Sequence, residues 1–168
     1  NDVQCHTLFP ATRQPWRMRS CGDFQAEEKL ERALRAHAIQ YADCAAVLVL
    51  FDLDDECPKD VALALAERVR GIKSLPFSVA VVCAHREYEA WFLASLESIH
   101  GGTIYDGDPE SRRDAKGWLR RKFGYREVRD QAHYTRAMDL GLVRQRSRSF
   151  RRLCHALEEA IFAAQEAD

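Results

Sequence analysis

Two continuous apolar runs organise the chain. Ala45-Ala46-Val47-Leu48-Val49-Leu50-Phe51 ends in acids, and Phe77-Ser78-Val79-Ala80-Val81-Val82-Cys83-Ala84 follows Pro76. Runs of this length without alternating polar positions predict strands covered on both faces. Between them Val61, Leu65 and Val69 recur at helical spacing, with Pro58 suited to a first helical position and Gly71 to an end. The order strand, helix, strand predicts a parallel pair joined by a right-handed crossover, hence an α/β sheet with helices on both faces.

The flanks carry weaker patterns. Val3 to Phe9 suits a short strand, and Pro10, Pro15 and Trp16-Arg17-Met18-Arg19 read as a loop. Asp23 can cap a helix reaching about Tyr41, because Leu30, Leu34, His37 and Tyr41 share one face. Beyond the second strand a helix is expected from Tyr88 to Ile99, broken off at Gly101-Gly102. Asp108-Pro109 then opens a helix to Phe123. Further helices are expected over Asp130–Leu140 and from Ser149 onward, where Phe150, Leu153, Leu157 and Ile161 form a stripe. The expectation is one domain over 1–168, with an α/β core over 1–105 and a helical extension over 106–168.

Composition narrows the class. A chain of 168 residues with 46% hydrophobic and 30% charged residues is neither a disordered tail nor a fibre. At this size folding hides roughly 70% of the unfolded surface, enough for a core without disulfide staples. Apolar runs fall short of the ~20 residues that span a bilayer, and the N-terminus lacks a signal-peptide core, so a cytoplasmic protein away from membranes is expected. Its six cysteines are irregularly spaced, with Cys44 and Cys83 beside apolar runs, which favours reduced thiols. Cys5-His6, Cys83-x-His85 and Cys154-His155 invite a zinc reading, but no Cys-x-x-Cys pair supports one. The first residue, Asn1, is not Met, which suggests a further upstream piece.

Net charge is −1, but its distribution is uneven: Arg112 to Arg152 holds 14 basic residues against 4 acidic ones. A basic C-terminal region on an acidic body is compatible with a polyanionic partner. Solvated helix faces and internal ion pairs are the plainer reading.

Candidate chemistry gathers where the strands end. Asp52, Asp54, Asp55 and Glu56 crowd the end of the first apolar run. Ligands of open α/β sheets bind beyond the carboxyl ends of strands. Mutually repelling carboxylates there suit a hard cation such as Mg²⁺ or Mn²⁺, with Asp52 and Asp54 reaching a common ion. An acidic cap on the next helix is the alternative. His85-Arg86-Glu87-Tyr88-Glu89-Ala90-Trp91-Phe92 begins at the end of the second run, on the same sheet edge. Glu87 or Glu89 could complete an ion's shell and Arg86 could fork onto a phosphate. Trp91 and Phe92 fit the core better than a substrate platform.

These blocks, together with Ala115-Lys116-Gly117-Trp118-Leu119, Asp130-Gln131 and Ser147-Arg148-Ser149-Phe150, resemble the family known as domain of unknown function 4276, whose members look like relatives of TOPRIM domains. The resemblance runs through most of the chain. It implies a TOPRIM/Rossmann-like three-layer sandwich with a largely parallel sheet, and Mg²⁺-dependent phosphodiester chemistry. Carried over, Asp52 and Asp54 match the Asp-x-Asp metal pair, with Asp55 beside them, and Glu87 or Glu89 is an added acid. Family members usually open with a strand ending in Val-Glu-Gly, and no Glu-Gly pair occurs here. The resemblance therefore leaves the general base without a candidate.

The leading expectation is a Mg²⁺-dependent nuclease or nuclease subunit, acting on DNA in preference to RNA, with a role in phage defence implied by the resemblance alone. Lys116, Arg120 and Arg121 would neutralise the nucleic-acid backbone alongside Arg86. The alternative is a non-catalytic interaction subunit partnering an ATPase, and a homo-oligomer is compatible with either. A small-nucleotide hydrolase could use the same carboxylates. No Gly-x-x-x-x-Gly-Lys loop is present, so ATP hydrolysis by this chain is not expected.

Overall fold

The computed structural model describes residues 27–41, 44–53 and 58–166. The expected Val3–Phe9 strand, the loop after it and the Asp23 cap lie outside these residues. What is described is a mixed α/β protein in which helices dominate around a two-stranded parallel sheet.

Helix α1 (Glu27–Gln40) leads to strand β1 (Ala46–Asp52), helix α2 (Pro58–Gly71) and strand β2 (Ser78–Ala84). The register is in step from Ala46 opposite Ser78 to Asp52 opposite Ala84, so both strands end on one edge. Alternate side chains go to opposite faces. Val49, Phe51 and Cys83 join Leu30 and Leu34 of α1 and Leu65 and Val69 of α2. Val82 and Ala84 face a second core made by the C-terminal helices. Each side of the sheet meets helices, as the continuous runs predict, although the cover is partial and Leu48 in the middle of β1 stays exposed.

After β2 come α3 (Glu89–Ala94), α4 (Leu96–Ile99), a 3₁₀ turn (Pro109–Ser111), α5 (Ala115–Phe123), α6 (Glu127–Ala137), α7 (Leu140–Arg146) and α8 (Arg148–Glu166). Helix α8 lies along β1 and β2, and Phe150 and Leu153 of its expected stripe enter the core. Trp91 and Phe92 are fully buried, as expected of core residues, and each such ring contributes roughly 1.5–3 kcal/mol.

Three local expectations need correction. The helix expected over Tyr88–Ile99 breaks at Ser95, whose φ of −130° leaves the helical region. There the Ser95 hydroxyl accepts the Asp139 N–H at 2.7 Å, so a distant loop competes with the helix for this residue. The helix expected from Asp108 to Phe123 is a 3₁₀ turn followed by a separate helix. Asp108 does cap, accepting Glu110 N–H at 2.9 Å, but Arg112 is extended and Asp114, at φ 57°, starts α5 afresh. Helix α7 is additional to the expected set. Asp139 caps it through Gly141 and Leu142 N–H at 2.9 and 3.1 Å, and Val143 anchors it in the core.

Candidate active site

Asp52 is the last residue of β1 and lies opposite Ala84, the last of β2. The chain then turns sharply, with Arg86 in the left-handed region at φ 67°. This turn brings the Tyr88 backbone N–H to Asp52, to which it donates at 2.8 Å. Asp52 and the Glu87–Glu89 segment, 35 or more residues apart in sequence, therefore meet at the sheet's carboxyl edge. Asp54 and Asp55 lie outside the described residues.

The two glutamates do different work. Glu87 is half-buried and its Oε2 accepts the Lys116 backbone N–H at 2.8 Å, binding the first turn of α5 to the sheet edge. Glu89 is 1% exposed. Its Oε1 accepts the Tyr125 hydroxyl at 3.0 Å and lies 3.8 Å from Lys116 Nζ. Its Oε2 is buried without a hydrogen-bond partner among the described residues. Burial pushes the Glu89 pKa up to about 7, against the opposing Lys116 charge and Tyr125 hydrogen bond, and the nearby Asp52 carboxylate pushes the same way as burial. Burial together with the Glu89 charge also raises the Tyr125 phenol.

The geometry of α5 sets these contacts. Asp114 caps it by accepting Gly117 N–H at 2.9 Å, and a Cβ on residue 117 would strike the Asp114 carboxylate. At the other end Gly124 adopts φ 67°, and its N–H donates to Arg120 O at 2.9 Å. That turn delivers Tyr125 to Glu89.

The expected phosphate-binding residues diverge. Lys116 points inward, 2.9 Å from Glu127 Oε2 as well as near Glu89. Arg121 is exposed and pairs with Asp114 at 3.1 Å, Arg120 is exposed on α5, and Arg86 is half-buried at the turn itself. Among the described residues no group of three or more His, Cys, Asp or Glu side chains is gathered as a metal site. Beside the acids, a cavity of about 360 Å³ is lined by Tyr88, Gln131, Ala132, Thr135 and Arg136, with the Tyr88 hydroxyl 3.0 Å from Thr135 Oγ1.

Sequence reasoning misses Glu110. This 8%-exposed carboxylate sits at the N-terminus of α8, where Ser147 Oγ, Ser149 N–H and Arg148 N–H donate to it at 2.7, 2.8 and 3.1 Å. Ser147 caps the same helix through Phe150 N–H at 3.0 Å, and Ser149 Oγ accepts the Trp91 indole N–H at 2.8 Å. The Ser147-Arg148-Ser149-Phe150 block is thus a helix start built around a buried anion. The pair of serines around an arginine signals a cap, but nothing local points to Glu110.

A helix-rich α/β protein with an acidic site at the carboxyl edge of its parallel strands is the class these features define. The chain belongs to the family described as domain of unknown function (DUF4276), whose family model matches residues 6–158. No curated protein and no solved structure matches the chain.

Proposed function

We propose that this chain is a Mg²⁺- or Mn²⁺-dependent phosphodiester hydrolase, a nuclease or the nuclease subunit of an assembly, acting at the carboxyl edge of β1 and β2. The observation that carries the reading is the buried Glu89 carboxylate, with one oxygen lacking a hydrogen-bond partner among the described residues, held beside strand-end Asp52. An unsatisfied carboxylate oxygen in a dry site is costly unless something of opposite charge meets it. Oxygen donors of this kind suit a hard divalent cation, so the residues described fit the group. Asp52 and Glu89 would hold it, with Asp54 and Asp55 following Asp52 in sequence; Glu87, bonded to α5, positions the edge instead.

When bound, the ion polarises a phosphoryl oxygen and lowers the pKa of a coordinated water. The chain's own contribution is fixed placement. Tyr88 N–H orients Asp52, Tyr125 orients Glu89, and the Lys116 ammonium balances part of the negative charge. A TOPRIM/Rossmann-like three-layer arrangement is the finer fold reading we propose. It is supported by the parallel pair, by helices on both its faces and by acids at its carboxyl edge.

The test is cleavage of labelled DNA and RNA by the purified full chain with Mg²⁺, Mn²⁺ or EDTA. Asp52→Asn, which keeps an oxygen for Tyr88 N–H, and Asp54→Asn should each lower the rate about 100-fold or more while leaving the circular dichroism spectrum intact, the scale of lost metal assistance. Cleavage that survives both substitutions rejects these ligands. A partner complex that forms and works equally with both variants, without cleavage, establishes the interaction-subunit reading instead.

A further inference from the structure

Arg112 is the one half-buried arginine of the basic region, whose other arginines are all exposed. It lies between the 3₁₀ turn and α5, half-buried, and its guanidinium carbon is 5.3 Å from the Trp118 ring centroid and 5.7 Å from that of Tyr105. Both lie within reach of a cation–π attraction. Its hydrogen-bonding capacity is nearly unused. Nη1 reaches the Tyr105 hydroxyl only at 3.5 Å, buried Nε has no acceptor, and the residue makes no ion pair among the described residues. Among the exposed arginines of the region, Arg121, Arg129, Arg144 and Arg146 have carboxylate partners.

The rings around Arg112 continue as a row. Trp118 meets Tyr105 edge-on at 5.3 Å and Phe123 at 5.9 Å, and all three are only partly buried. Exposed Lys122 stands one turn from Trp118 on α5, where residues four apart are neighbours. An aromatic row with unpaired cations is the chemistry that binds single strands: bases stack on rings while phosphates meet Arg and Lys. A duplex conceals its base faces and gains nothing from the rings. The surrounding segment, 14 basic residues against 4 acidic, supplies the complementary charge.

We propose that Tyr105, Arg112, Trp118 and Lys122 form a binding surface for single-stranded nucleic acid, with phosphates on Arg112 and Lys122 and an unstacked base on Trp118. The proposal deepens the nuclease reading, since it names the strandedness of the substrate, but binding requires neither a metal nor hydrolysis.

The experiment is fluorescence anisotropy with the full chain in EDTA, using labelled oligothymidylate, oligouridylate and a mixed-sequence duplex. The wild type should prefer the single strands to the duplex by about tenfold, and Trp118→Leu and Arg112→Gln should each weaken single-strand binding about tenfold, the scale of one lost stacking or phosphate contact. The two single-stranded probes separate DNA from RNA. Because Trp118→Leu removes a packed ring, tryptophan quenching by oligothymidylate is a second readout: it should disappear in the Trp118→Phe variant, which keeps the packing. Equal affinity for duplex and single strand, binding unaltered in folded Arg112→Gln and Trp118→Leu, or no binding at all would overturn the proposal. Single-strand binding without cleavage under any metal would sink the nuclease reading alone. Cleavage of single strands with unchanged KM in both variants would sink this surface alone.

Discussion

Replacing Glu110 by Gln should unfasten the start of the longest helix. Glu110 accepts three hydrogen bonds, two of them from backbone N–H groups of the first turn of α8. Bonds to a charged acceptor contribute about 1.5–3 kcal/mol each, and a partly buried anion at a helix N-terminus up to about 2 kcal/mol. These are not additive, because Gln retains one carbonyl acceptor and Ser147 still caps. Its amide NH₂, however, must face donors. A loss of roughly 3 kcal/mol is expected, which for a chain of this length lowers Tm by about 6–12 °C. Urea denaturation followed by tryptophan emission measures it, and the pH dependence makes it diagnostic. Burial alone would raise the Glu110 pKa, but hydrogen bonds from the Ser149 and Ser147 side chains and from the Ser149 and Arg148 backbone outweigh it and hold the pKa below its ordinary value. For a depressed carboxylate the stabilisation is complete above the ordinary pKa and is lost as pH falls through the folded one. The gap between wild type and Glu110→Gln should therefore be full at pH 7 and close on acidification below about pH 4.5. A gap under about 0.5 kcal/mol at pH 7, or one of the same size in acid, would refute the assignment of a buried ionised cap.

Two other perturbations follow from the site. Glu89 has the opposite sign: with its pKa at about 7 it binds its proton more tightly folded than unfolded, so stability in EDTA should fall by roughly 3 kcal/mol as pH rises from 4.5 to above 7. Glu89→Gln should flatten that slope, and Tyr125→Phe, which removes a hydrogen bond that lowers this pKa, should move the titration higher by carboxyl NMR; an unchanged midpoint would deny the contact. Gly124→Ala should cost about 1–2 kcal/mol in thermal unfolding, because a Cβ is strained at φ 67°. No change in Tm would mean the turn that carries Tyr125 relaxes freely.

What the sequence makes legible is local. The strands and α2 appear almost to the residue, because continuous apolar runs, Pro58 and Gly71 mark them and no distant group competes. The meeting of Asp52 with the Glu87–Glu89 segment is also foreseen, since parallel strands in register must end together. What stays hidden depends on partners far along the chain. Ser95 leaves its helix for Asp139, 44 residues away, and Glu110 leaves its own segment for a helix start 37 to 39 residues on. Nor does spacing show that Lys116 turns inward, because its carboxylate partners lie on α3 and α6 rather than one turn away on α5. Even the family-like blocks change meaning: Gly117 is explained by the Asp114 cap it leaves room for, and Ser147 and Ser149 by Glu110.

The acids of this molecule can be sorted by what answers their charge. Asp52, Glu87 and Glu110 each accept a backbone N–H from another part of the chain, at 2.8, 2.8 and 2.8–3.1 Å. Through these bonds β1 holds the Tyr88 turn, that turn holds the start of α5, and the 3₁₀ turn holds the start of α8. Backbone donors in such places would otherwise be orphaned helix or loop groups, so each acid solves a structural problem as it ionises. Glu89 departs from the pattern. It lies at the convergence of the first two clamps, is the most buried of the four, and is the one left with a side-chain oxygen that no described group satisfies. A fold that fixes its neighbours through carboxylates on either side, yet leaves this one incomplete, sets a buried acid of raised pKa at the edge where open α/β sheets take ligands. Glu97 of α4 also has a buried oxygen without a partner among the described residues, but Arg146 meets its other oxygen at 2.7 Å, so Glu89, beside the strand ends, is the residue on which to look for a cation.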